Sequence, residues 1–188
     1  LRTHAGGSDT FVRKGSSEDL GGKDVVSLHR DGGGDQQVIE HVYLKFDLAK
    51  STVPKSEIDR AVLQLTVAGG SHQAINKISV YGVSEGLSPQ WKEKGDGHFT
   101  WDQAPSRNGI KGLTFLSQIE IDNGRDSLKD VVDGVRIYDR NLDHFLREAA
   151  EDQVTIVLIR DSAADKPIRF HAKEGKPTQA PALALRRR

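Results

Sequence analysis

Hydrophobic and polar positions alternate through most of this chain, and the clearest run is residues 38–48, VIEHVYLKFDL. Val42, Leu44 and Phe46 alternate with His41, Tyr43 and Lys45. A period of two places the two sets on opposite faces of a strand, one apolar and one carrying an imidazole, a phenol and an ammonium. The same period recurs at residues 9–13 (DTFVR), 25–30 (VVSLHR), 61–67 (AVLQLTV), 78–83 (ISVYGV), 113–121, 168–173 (IRFHAK) and 181–185 (PALAL). Residues 154–159, VTIVLI, are apolar on both faces and predict a central strand. Leu142, Phe145, Leu146 and Ala149 recur at helical spacing instead, so residues 141–150 predict one short amphipathic helix with Asn141 near its cap.

Between these runs lie turns. Residues 14–23 and 31–36 are rich in Gly, Ser and Asp, and residues 87–105 form an irregular excursion that holds both tryptophans, Trp91 and Trp101. Residues 122–134 read as a charged loop with a short helical turn near 128–132, and residues 1–7 as a frayed start. About ten short strands with turn signals and one minor helix predict an all-β fold, a jelly roll or β-sandwich of two antiparallel sheets. No internal repeat is visible, and 188 residues fit a single domain, 1–188, with an ordered core of about 9–186.

Composition narrows the partners. The chain has 27 basic and 27 acidic residues, so its net charge predicts no nucleic-acid partner, and a polyanion site must come from local sorting of charge. It has no cysteine, which excludes disulfides and thiolate metal sites, and no window long enough to insert in a membrane. The first residue is not Met and no signal peptide precedes the first strand, as expected of a piece of a longer, multidomain protein.

The polar faces carry the candidate chemistry. Beside His41, Tyr43 and Lys45, the parity of residues 168–173 turns Arg169, His171 and Lys173 outward, and that of residues 25–30 turns His29 outward. Arg13 shares the parity of Phe11 and joins that side only where the first strand bends or ends. On one shared sheet these residues make a basic patch suited to uronate carboxylates or sulfates: Arg grips them bidentately, Lys adds a point charge, and Tyr lies along a sugar ring. The alternative is a solvated outer face. Trp101 reads as a packing residue, and Trp91 as either a packing residue or a stacking platform.

The ordered set DTFVRKG, YLKFDL, AVLQLTV, ISVYGV, Trp91 followed by TWDQAP, then VTIVLI, RFHAKEG and PALAL resembles the DNRLRE-type carbohydrate-binding modules, among them family 96. The resemblance runs from Asp9 to Leu185. It implies a non-catalytic, secreted or cell-surface module attached to a polysaccharide-degrading enzyme or surface protein, with an acidic, alginate-like polysaccharide as partner. Modules of this shape often tie their ends around a structural calcium. Asp9 and Glu174, which share inward parity at strand ends, are the candidate ligands, and ordinary turn hydrogen bonds are the alternative. Asp31 and Asp35 flank a Gly run but lack EF-hand spacing. Two other functions stay open: a uronate lyase using His41, Tyr43, Lys45 and His171, for which no complete motif is legible, and a structural adhesion module.

Overall fold

The computed structural model describes residues 1–3, 6–33, 37–69, 75–83, 91–122 and 134–188. Among them are eleven strands: β1 (Ser8–Arg13), β2 (Val25–Arg30), β3 (Ile39–Asp47), β4 (Ile58–Leu65), β5 (Val67–Gly69), β6 (Ile75–Val83), β7 (Leu113–Asp122), β8 (Val135–Ile137), β9 (Gln153–Arg160), β10 (Ile168–His171) and β11 (Ala182–Arg187). One α-helix, α1 (Arg140–Arg147), precedes β9. Every predicted strand has its counterpart. The two extra ones, β5 and β8, are three residues each, too short for a period to show. The helical turn expected near 128–132 and Asp35 lie outside the described residues.

The strands form two antiparallel sheets. The larger runs β5–β10–β2–β3–β9–β6–β7, with β1 added on β3, and the smaller runs β11–β4–β8. Between them lies the main core. Val42, Leu44 and Phe46 of β3 and Ile156 and Leu158 of β9 pack with Leu63 and Leu65 of β4, Ile137 of β8 and Leu183 of β11. The fold is therefore the expected all-β sandwich with a single helix.

Helix α1 closes one end of that core. Asp139, two residues before the expected cap, accepts from Asn141 N at 2.9 Å. Leu142 and Leu146, one turn apart, are buried, and the buried Asp143 accepts from Ala61 N at 2.6 Å, which fastens the helix to β4. The start of the chain is held as well, contrary to the frayed start expected there. The Leu1 ammonium donates to Leu183 O at 2.8 Å and Thr3 N to Pro181 O at 3.0 Å.

A second apolar layer lies on the other face of the large sheet. Trp91, Phe99, Trp101 and Ala104 cover Tyr43 of β3, Val157 and Ile159 of β9, and Tyr81 and Val83 of β6. Strand β9 is thus buried on both faces, which is why its six central residues are apolar almost without interruption.

Candidate functional site

His41, Tyr43 and Lys45 do share one face of β3, as their parity requires, but that face is not at the surface. Their exposures are 7%, 0% and 9%. The excursion at residues 91–108 lies over them and is pinned by polar ties. Lys45 Nζ donates to Trp91 O at 2.9 Å and sits 4.6 Å from the centre of the indole ring. Trp91 Nε1 donates to Thr155 Oγ1 at 3.0 Å. Ser106 Oγ lies 2.6 Å from His41 Nδ1 and 2.7 Å from the Tyr43 oxygen, which accepts from Ser106 N at 3.2 Å. The exposed basic face expected here is corrected accordingly. Strand parity tells which side a residue takes, not whether another layer covers that side, and the aromatic content of the excursion was the sign of the cover.

Burial also sets the protonation of this face. It pulls the His41 imidazole down to about 4, with Arg30 adding to the effect, and pushes the Tyr43 phenol up to about 12. A consistent hydrogen-bond assignment follows: the phenol donates to Ser106 Oγ, and the Ser106 hydroxyl donates to an unprotonated Nδ1 of His41. Lys45 is shifted down by desolvation, partly offset by Glu93. Of the groups a lyase would use for proton transfer, His41 and Tyr43 are thus enclosed and engaged with Ser106, and Lys45 is enclosed against Trp91.

The acidic residues assemble as a cluster. Asp9 and Glu174 come together as expected, and Glu93 joins them, with one ligand atom from each within 4.8 Å of the others. Sequence reasoning does not reach Glu93; its one signal there is an acid two residues past a tryptophan. Gly21 makes room for it: a Cβ at Gly21 would stand 1.8 Å from Glu93 O. Asp9 is buried and accepts from Lys173 N at 3.3 Å. Burial raises both Asp9 and Glu93. The Lys173 ammonium donates to Glu93 and, at 3.2 Å, to Gly7 O, so it sits among the acids and not on an outward face. Glu174 Oε2 is buried without a hydrogen-bond partner. An all-oxygen donor set with an orphaned carboxylate oxygen fits a hard cation such as calcium. Asp31, by contrast, closes its own loop, accepting from Val38 N at 2.9 Å and Gly33 N at 3.2 Å.

Two of the expected residues, Arg13 and Arg169, do meet at the surface, with a third, His29, buried beneath them. Arg13, His29 and Arg169 line an open groove of about 540 Å³, with Lys23, Ser27, Phe11 and Leu20. Arg13 is held by Glu40 at 2.8 Å and Lys23 by Glu18 at 3.5 Å, while Arg169 is exposed and makes no ion pair among the described residues. His29 is buried at the groove floor, its Nε2 2.9 Å from Ala164 O. The register sets Arg13 and His29 opposite Glu40, which points to the other side of β3 from His41, so the expected eight-residue basic face divides. His171 stands apart, partly buried and shifted down by desolvation, with Lys176 adding to it. Trp91 is 5% exposed, a packing residue like Trp101.

The chain that folds into this all-β sandwich matches the family model for carbohydrate-binding module family 96 over residues 3–187. The chain belongs to that family. The family 96 module is a non-catalytic binder whose partner is a polysaccharide. No curated protein sequence matches it. Among its described residues no helix is long and apolar enough to cross a membrane.

Proposed function

We propose that this family 96 module recognises an acidic polysaccharide, an alginate-like uronate or a sulfated glycan, along the groove between β1, β2 and β10. It does so at the cell surface or outside the cell, as one part of a protein that degrades or holds the polymer. The observation that supports this is the convergence of Arg13, Lys23 and Arg169 on one open groove. Arg169 is exposed and has no carboxylate partner among the described residues, so its guanidinium is available to a sugar carboxylate or sulfate. The half-buried Val25, Val38 and Pro167, which line the same groove, offer apolar surface to the sugar ring beside it.

Arg169→Ala and Lys23→Ala are each expected to weaken binding a few-fold, on the order of 1 kcal/mol per exposed charge contact, and to leave the melting temperature unchanged. Affinity should fall as salt rises, because exposed charges are screened over about 10 Å at 0.1 M. Calorimetric titration at several salt concentrations checks both. Salt-independent binding, or equal affinity for a neutral glucan, would overturn the acidic-glycan reading.

For the acidic cluster we propose a structural calcium held by Asp9, Glu93 and Glu174, in place of the Lys173 ammonium. Calcium is expected to raise the melting temperature by linkage, and Glu93→Gln to abolish that rise while leaving glycan affinity unchanged. A melting temperature indifferent to both calcium and chelator would leave the ammonium as the cluster's own cation.

A further inference from the structure

Neighbouring residues at the ends of β1, β2 and β3 divide between two grooves. Arg13, His29, Val38 and Glu40 line the first, and Lys14, Arg30, Ile39 and His41 line another of about 370 Å³. Successive side chains of a strand point to opposite sides, so the two grooves flank the same strand ends from opposite sides. The volume of the second lies within the range of small-ligand sites, about 300–1,000 Å³.

The charges of the second groove are sorted more sharply than those of the first. Lys14, Arg30 and Arg107 are exposed, and none of them makes an ion pair among the described residues. Arg30 and Arg107 donate only to backbone oxygens, those of Asp161 and Asp102. The one carboxylate lining the groove among those residues, Asp161, is already engaged by Ser79 at 2.6 Å and Gln118 at 3.0 Å. In a chain with equal numbers of acids and bases, three unpaired cations around one concavity is a local excess that favours an anion. The wall is apolar. Trp101 stands on one side, and Ile110, 55% exposed, on the other. Gly109 aims that isoleucine, with a φ of 96° that a side-chain-bearing residue rarely takes.

We propose that this groove is a second acidic-sugar site, whose cations grip a carboxylate or sulfate while the exposed Ile110 meets the ring, so that one module bridges two polysaccharide chains. The class of ligand rests on the reading of the first groove; the existence of the second site does not.

The test is calorimetry of the full chain with tetragalacturonate and, separately, with a dextran sulfate oligomer, in calcium-free buffer. Turbidity with polygalacturonate or dextran sulfate polymer follows. The expected result is two sites per chain and a turbid polymer mixture with at least one of the two probes, the responding probe telling carboxylate from sulfate. K14A/R30A/R107A and K23A/R169A should each retain one site and leave the mixture clear. If the triple variant fails to fold, K14A and R107A singly serve, each weakening one of the two sites. A single site lost with K23A/R169A and untouched by the triple variant overturns the second site and leaves the first standing. A single site lost with the triple variant and untouched by K23A/R169A overturns the bridging and moves the glycan to this groove. Absence of binding to both probes overturns both readings.

Discussion

Trp91→Ala is expected to lower the folding stability of the module by about 3–5 kcal/mol, the usual cost of truncating a buried aromatic residue to alanine. The indole is 5% exposed, packs on Phe99 with ring centres 5.2 Å apart, and ties to Thr155 through Nε1. Its removal also takes the ring from beneath the Lys45 ammonium, which is buried with few other partners. Such a loss is a large share of the about 5–15 kcal/mol that holds a typical domain folded. Urea denaturation would show it as a lower midpoint at unchanged slope. If instead the variant kept its midpoint and lost glycan affinity, the indole would be a sugar platform and the cover over β3 would open in solution.

The second large effect is on pH dependence. His41 is neutral in the folded protein down to about pH 4, whereas in the unfolded chain it takes up a proton near 6.5. Between those values the unfolded state binds one more proton than the folded state, so stability rises with pH across the window. The contribution of His41 is fully present above about pH 6.5 and is lost as pH falls towards 4, a loss of about 3 kcal/mol at about 1.4 per pKa unit. Asp9 and Glu93, both raised by burial, work in the opposite sense: their folded forms hold protons longer as pH rises. The comparison that isolates His41 is therefore His41→Gln against the parent. Denaturation at pH 7 and pH 4.5 should show a smaller acid loss in the variant. Equal slopes would mean that the imidazole is reached by solvent and titrates normally.

That neutrality bears on binding. An imidazole at the surface would strengthen its grip on a polyanion below pH 6.5, as the alternation around His41 predicts when read alone. Buried against Ser106 and Trp101, it adds no such charge.

What the sequence reveals and what it hides follow from the same strand. The alternation of β3 gives the inward set Val42, Leu44 and Phe46 and the opposite set His41, Tyr43 and Lys45, because the pleat alone decides it. The fate of the second set depends on residues 91–108, some fifty positions away, and no local period carries that information. VTIVLI did announce a strand covered on both sides, and its second cover is the segment that buries Tyr43. Asp9 and Glu174 are legible as strand-end acids, but Glu93 reaches them only because Gly21 lets its backbone approach closely. Arg13 and Arg169 meet because β1 and β10 flank β2 and β3, a pairing set by topology and not by spacing.

Burial of β9 on both faces has a consequence for how the chain reaches this state. Its neighbours in register are Val42 of β3 and Val80 of β6, both opposite Leu158 and both far away in sequence. Neither local turn formation nor a single hairpin can cover VTIVLI, so its shelter depends on closing long loops first, which makes assembly slow for a chain of this size. Until those loops close, the segment is a short, uncharged, β-prone stretch with both edges free, the kind that pairs with its copy in another molecule. The two-sided cover that makes β9 the most protected strand of the finished sandwich also makes it the most exposed to aggregation on the way there.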